Sequence, residues 1–101
     1  MVGKESIQTT VVNIKTTGKG YSKIDRTTIY GNRSYYPKSR TVEEHQKAVY
    51  AYEKYFYERL ESDPEFKAAV HMLWGNTLGC WCKPLPCHGD VIAEYLNSLE
   101  E

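Results

Sequence analysis

Residues 77–96 read TLGCWCKPLPCHGDVIAEYL, and the character of this stretch changes twice along its length. The first five residues form a short apolar run of strand length, and Pro84 and Pro86 stand too close together for the next segment to be helical. Asp90 can then cap a helix whose apolar face is formed by Val91, Ile92, Tyr95 and Leu96. The stretch therefore predicts a strand at residues 77–81, a rigid loop and a last helix.

Two further helix start signals precede this stretch. Residues 41–44 (TVEE) place a hydroxyl at a helix start and a carboxylate three residues later, the capping-box pattern in which each side chain satisfies a backbone donor. This helix is predicted to run to about Glu61, and its apolar stripe consists of Val42, Ala48, Val49, Tyr52, Phe56 and Leu60. Residues 62–65 (SDPE) begin a second helix that ends near Trp74. His45 and His71 are expected to be ordinary helical residues.

Two segments nearer the start of the chain are predicted strands, at residues 9–14 and 27–30, because both are rich in β-branched side chains. Residues 31–76 are long enough for a crossover between parallel neighbours. The first connection is short, so the first strand is either antiparallel or returns through an extended loop. We expect one small α/β domain over residues 1–101, with a mostly parallel sheet of about three strands, three helices and a Rossmann-like crossover.

The charge is neutral overall but unevenly distributed. The chain has 13 Lys and Arg and 13 Asp and Glu, with the bases concentrated in residues 1–40 and the acids in residues 41–101. A neutral total argues against binding along a nucleic-acid duplex, although a local basic patch could hold one or a few phosphates. No apolar run approaches the roughly 18 residues of a membrane span, and residues 1–10 do not resemble a signal peptide. We expect a cytoplasmic, soluble protein with no membrane partner.

The three cysteines lie within residues 80–87 and are followed by a histidine. An odd number cannot all pair internally, so a reducing compartment fits better than a secreted disulfide framework. Zinc would accept the ligand types in the pattern formed by Cys80, Cys82, Cys87 and His88, but the spacing differs from that of paired zinc knuckles. We predict no metal and no cofactor, and keep a zinc site as an alternative. Cys87, just before the last helix, could instead be a thiolate nucleophile.

Two loops are expected to face each other at one edge of the sheet, residues 30–33 and 82–90, because open α/β sheets bind ligands where parallel strands end. The start of the last helix offers N–H groups to an anion, and Gly89 permits close approach. The first loop combines Arg33, Lys38 and Arg40 with tyrosines that can stack on a planar base. The predicted ligand-binding residues are Tyr30, Gly31, Asn32, Arg33, Tyr35, Tyr36, Cys87, His88, Gly89 and Asp90. In the alternative interpretation, this is a solvated basic loop with tyrosines packed on the surface.

Residues 78–96 also resemble the signature of the domain of unknown function 4326 family, whose members are small proteins frequent in phages and bacteria. The corresponding segments are residues 29–32, the helix from Thr41 and the block from Gly79 to Gly89, so the resemblance covers about residues 9–97. Two departures are visible, because Arg33 stands where the family usually has proline, and residues 74–76 (WGN) replace a basic residue, glycine and lysine. The resemblance implies an α/β fold and a phage or bacterial origin, and brings no established reaction.

The preferred hypothesis is a binding protein for a small nucleotide-derived ligand, with its phosphate at the last helix start and its base against the tyrosines. In a phage, such a protein could sequester a host immune nucleotide signal. The enzyme alternative is a nucleotide-processing activity at the same cleft that uses Cys87, His88 or Asp90, and the third is a zinc-stabilised module for nucleic acid or protein. We also expect a homodimer, because 13% aromatic residues exceed what so small a core needs.

Overall fold

The structure is a computed structural model that describes residues 8–17, 20–25, 27–32, 35 and 37–99. These residues form an α/β domain around one parallel sheet with the strand order β1-β3-β2. The strands are β1 (Thr10–Asn13), β2 (Ser22–Lys23) and β3 (Thr77–Cys80). The predicted fold class is therefore confirmed.

Three long helices and one helical turn are present in the described residues. They are α1 (Ile14–Thr17), α2 (Val42–Ser62), α3 (Pro64–His71) and α4 (His88–Ser98). The predicted starts of α2 and α3 are confirmed, because the side chains of Thr41 and Asp63 accept hydrogen bonds from backbone N–H groups in the first turns. Helix α3 ends at His71, earlier than predicted, and a turn leads to Gly75 at φ 80°.

The predicted strand at residues 27–30 is wrong. Asp25 redirects the chain there: its side chain accepts the Thr27 N–H at 3.0 Å and its carbonyl accepts the Thr28 N–H at 3.0 Å, which bends the chain into turns. The second strand is instead β2, which pairs in parallel with β3 and places Ser22 opposite Leu78. Strand β1 is also parallel to β3, so the antiparallel alternative is excluded. All three strands therefore end at the same edge of the sheet.

Most of the core lies between the sheet and the helices. Helix α4 packs against β1 and β3, and α2 packs against α3 and α4. On β3, Leu78 and Cys80 belong to this core, whereas Gly79 faces the opposite side. A Cβ at position 79 would lie 2.9 Å from Ile14 Cγ1 and would overlap the Tyr21 ring, so only glycine fits there. Within the described residues, no helix combines the length and apolarity needed to cross a bilayer.

Candidate functional site

A cleft of about 540 Å³ opens at the edge where the three strands end. Its walls come from Asp25 and Thr27 after β2, from the loop before α2, from the first turns of α2 and from the segment after β3 up to the first residue of α4. Small-molecule sites commonly measure about 300–1,000 Å³ and favour this edge of α/β sheets. The volume and position of the cleft therefore suit a small ligand.

Trp81 provides an aromatic surface in the cleft. It follows β3 directly, is 48% exposed, and its indole Nε1 donates a hydrogen bond of 2.9 Å to Asp25 Oδ2. Burial would raise the pKa of Asp25, but hydrogen bonds from Thr27 and Trp81 outweigh burial and lower it. The Asp25 carboxylate is therefore ionised at neutral pH, and it holds the indole in a fixed orientation.

Glu44 fastens the loop before α2 to the helix. Its Oε1 accepts hydrogen bonds from the Tyr35 hydroxyl at 2.8 Å and from the Lys38 backbone N–H at 3.0 Å. The hydrogen bond from the Lys38 N–H contributes most, followed by that from the Tyr35 hydroxyl, and together they lower the pKa of Glu44 to about 2. The predicted capping box is thus only half formed: Thr41 accepts from the Glu44 N–H, but the carboxylate holds the loop. The attachment sets Tyr35 and Lys38 at the cleft.

Asn32 and Arg40 also line the cleft, and Asn32 is buried whereas Arg40 is exposed. Asn32 is 7% exposed, and its Nδ2 donates to the Ala48 carbonyl oxygen at 2.9 Å. Arg40 is exposed, and its Nη1 lies 3.5 Å from the carbonyl oxygen of Trp81. The cleft therefore has a buried end on α2 and an exposed rim, which carries Lys38 and Arg40.

His45 is the unexpected member of the cleft wall. It lies in the first turns of α2, is only 5% exposed and lines the cleft. Its Nδ1 is buried and has no hydrogen-bond partner in the part of the chain that the structure describes. A buried polar atom without a partner is destabilising and rare in native proteins. His45 is helical, as expected, but it is buried in the cleft wall with an Nδ1 that has no partner in the described residues, which the sequence did not indicate.

His88 connects two sides of the cleft at its buried end. Its Nε2 donates a hydrogen bond of 2.6 Å to the Ile24 carbonyl oxygen, which fixes the proton on that nitrogen. Its ring also contacts Tyr52 edge-on, with the ring centroids 5.1 Å apart. His88 thus ties the chain leaving β2 to the first turn of α4, and it shapes the cleft.

The rest of the α4 start makes contacts within the protein. Cys87, and not Asp90, is the N-cap residue: its backbone N–H donates to Asp90 Oδ2 at 3.1 Å, and its sulfur accepts from the Gly89 N–H at 3.4 Å. Asp90 also pairs with Lys83 at 2.6 Å. A Cβ on Gly89 would lie 2.7 Å from Ile24 Cδ1, so the missing side chain permits close packing of α4 on the sheet.

The ten predicted site residues divide into three groups. Asn32, Tyr35 and His88 line the cleft. Arg33 and Tyr36 lie outside the described residues. The other five do not line it and are Tyr30, Gly31, Cys87, Gly89 and Asp90.

Tyr30 belongs to the partly buried packing around the core. Its hydroxyl donates to the Ala69 carbonyl oxygen at 3.1 Å, and its own carbonyl accepts from the Tyr52 hydroxyl at 2.8 Å. Burial raises the pKa of Tyr30. Sequence reasoning missed the cleft residues Asp25, Trp81 and His45, although an aromatic residue directly after a parallel strand was a usable signal for Trp81.

The cysteines do not gather around one point. The sulfurs of Cys80 and Cys87 form a disulfide in the core, with Cα atoms 7.5 Å apart, which is longer than usual for a disulfide. Cys82 keeps a free thiol in the cleft wall, and burial raises its pKa. Among the described residues, no group of three His, Cys, Asp or Glu side chains is arranged to hold a metal ion.

Comparison with known proteins assigns the chain to a family. Residues 9–98, which span the sheet and all three long helices, match the domain of unknown function DUF4326. The chain belongs to the DUF4326 family. The resemblance inferred from residues 78–96 is thereby confirmed.

One relative of this DUF4326 protein comes from Enterobacteria phage T4, where it is described as an uncharacterized 12.4 kDa protein in the nrdA-td intergenic region. The two are 42% identical over 76 residues, which cover 75% of this chain and 67% of the phage protein. No solved structure matches the chain. In this DUF4326 member, the block from Gly79 to Gly89 contributes both packing glycines and four cleft residues, which are Trp81, Cys82, Pro86 and His88.

Proposed function

We propose that this DUF4326 protein binds a small, anionic, nucleotide-derived ligand in the cleft at the carboxyl edge of the sheet. The observation that carries the proposal is the combination of chemistries in one cleft of about 540 Å³. An oriented indole, two cationic side chains at the rim and a buried imidazole line the same space. A planar base, a phosphate and a polar base or sugar edge would each find a complementary group there.

Trp81 supports binding of the base. Trp81 is about half exposed, and the hydrogen bond from its indole to Asp25 holds the ring before any ligand arrives. A preorganised aromatic surface loses little conformational entropy on binding, and stacking of a base is worth roughly 1–3 kcal/mol. Tyr35, held by Glu44, supplies a second aromatic ring in the wall.

Lys38 and Arg40 support binding of the phosphate. Both side chains are exposed at the rim, where a charge-assisted hydrogen bond to a phosphate oxygen gains more than a neutral one. The anionic group among the described cleft residues, Asp25, is already engaged by Trp81, Thr27 and Lys23. Arg33, predicted for the same role, remains a candidate outside the described residues.

The small cleft and the zero net charge favour a small molecule over a nucleic-acid polymer. Polymer binding without base contacts needs many phosphate neutralisations, and a balanced chain supplies few. Because one relative is a phage protein, we extend the proposal to the sequestration of a host immune nucleotide signal. Cyclic dinucleotides therefore belong among the test ligands.

The first experiment identifies small molecules retained by the purified protein by mass spectrometry, and then measures calorimetric binding of the four common nucleoside 5′-monophosphates and of cyclic dinucleotides. Trp81→Ala should weaken binding by about 1–3 kcal/mol, whereas Trp81→Phe keeps a ring and should lose less. Trp74→Ala is the matched control, because Trp74 is 38% exposed and lies outside the cleft. Equal affinities for Trp81→Ala and Trp74→Ala would place the ligand elsewhere. Chromatography of the same mixtures reports any turnover.

A further inference from the structure

The buried end of the cleft contains one polar atom, Nδ1 of His45, for which the described residues supply no hydrogen-bond partner. His45 is 5% exposed, lines the cleft, and has a buried Nδ1 without a partner in the described residues. A fold gains nothing from such an atom, since removing it from water is unfavourable and no bond offsets that loss. A ligand that hydrogen-bonds the imidazole would supply the missing interaction.

The charges around the cleft favour one orientation of the ligand. Lys38 and Arg40 lie at the exposed rim, whereas the wall also contains Asp25, which is 8% exposed and whose pKa is lowered. A phosphate in the buried part of the cleft would meet this carboxylate, but an uncharged edge with N–H or O–H groups would not be repelled. The phosphate is therefore better placed at the rim.

We propose that the imidazole of His45 recognises an uncharged polar edge of the ligand's base, while Lys38 and Arg40 hold the phosphate at the rim. This inference rests on the proposed function and deepens it, because it assigns a ligand class and an orientation. The class is nucleoside monophosphates and their phosphodiester derivatives, and the nucleoside lies at the buried end of the cleft with the phosphate at the rim. Because Nδ1 itself is buried, the ligand reaches it through a turn of the imidazole ring, which lines the cleft.

The test separates the two ends of the ligand. The probes are the nucleoside 5′-monophosphate that binds wild type most tightly, its parent nucleoside, and ribose 5-phosphate. His45→Leu should weaken the nucleotide and the nucleoside about ten- to hundredfold and leave ribose 5-phosphate unchanged. The double variant Lys38→Ala, Arg40→Ala should weaken the nucleotide and ribose 5-phosphate and leave the nucleoside unchanged, because it removes only the groups that hold the phosphate.

Two amide variants show whether a polar atom at position 45 is what matters. His45→Asn places an amide near the position of Nδ1, and His45→Gln places one near Nε2, so at least one should bind the nucleotide within about threefold of wild type. In wild type, nitrogen-15 NMR of the imidazole should show a shift of a His45 ring nitrogen on adding the nucleoside and none on adding ribose 5-phosphate.

The outcomes distinguish the two proposals. If wild type binds nucleotides but His45→Leu binds the nucleoside equally well, or both amide variants bind as weakly as the leucine variant, the role of His45 is refuted and the proposed function stands. If wild type binds no nucleotide at millimolar concentration, both proposals are refuted. Thermal melting of every variant confirms that it is folded before its affinity is compared.

Discussion

Replacing His45 by leucine should make the protein without ligand more stable. An unpartnered buried polar group costs about 1–3 kcal/mol, and the leucine side chain is similar in size and has no polar atom to satisfy. Since Nδ1 of His45 is buried without a partner in the described residues, we expect the free energy of unfolding to rise by roughly 1–3 kcal/mol. For a domain of this size, each 1 kcal/mol raises the melting temperature by about 4–8 °C.

The assay is urea unfolding followed by circular dichroism, together with a thermal melt. The midpoint should rise and the m-value should stay constant, because the surface exposed on unfolding barely changes. His71→Leu is the matched control: His71 is exposed and its Nε2 lies 2.7 Å from the Tyr95 hydroxyl oxygen, so this variant should gain no stability. If His45→Leu is instead less stable than wild type, the imidazole stabilises the fold and is not reserved for a ligand.

Three further predictions concern the α4 start, the loop before α2 and the oligomeric state. Gly89→Ala should destabilise the fold by about 1–3 kcal/mol, because the new Cβ would lie 2.7 Å from Ile24 Cδ1 and 3.0 Å from Val11 Cγ1. The higher helix propensity of alanine offsets up to about 1 kcal/mol of this loss. An unchanged free energy of unfolding in urea would contradict the packing role of Gly89. Because the pKa of Glu44 is lowered from its usual 4.5 to about 2, its contribution is complete above pH 4.5 and is lost as the pH falls towards 2. The free energy of unfolding of the Glu44→Gln variant should therefore depend less on pH in that window than that of wild type, as measured by urea unfolding at a series of acidic pH values. Identical pH dependence of the variant and wild type would be inconsistent with the attachment of Glu44 to Tyr35. Sedimentation at tens of micromolar, an ordinary concentration for weak assembly, should show a dimer, and a pure monomer would exclude it.

The helices were predictable because their signals are local. A hydroxyl or carboxylate at the start of α2 and α3 accepts a backbone N–H within three residues, and an apolar stripe follows. The turns at residues 27–30 were not predictable from propensity, because the side chain and carbonyl of Asp25 accept the next backbone N–H groups. A two-residue strand such as β2 has too little sequence to show any period.

The position of the cleft was predictable, but most of the residues that line it were not. The carboxyl ends of parallel strands lie at one edge of the sheet whatever the exact bounds of the strands. The prediction of a cleft at this edge therefore did not depend on whether the second strand is at residues 27–30 or is β2. The pairing of Asp25 with Trp81 joins residues 56 positions apart, and no local pattern encodes it. The α4 start gives a second example. His88 and Gly89 were both predicted to bind the ligand, but only His88 lines the cleft, and no local pattern shows that Gly89 packs against Ile24.

His45 shows what a structure adds to a sequence in such a case. Position 45 lies three residues before Ala48 and seven before Tyr52, so helical periodicity already places a histidine on the buried face of α2. Buried histidines usually have hydrogen-bond partners, and only coordinates reveal that Nδ1 has none in the described residues. Sites that give up stability in this way are where binding and catalysis concentrate, because a ligand can restore the lost interaction. The same atom should therefore lower the stability of the free protein and contribute to affinity for the ligand, and the leucine variant measures both effects.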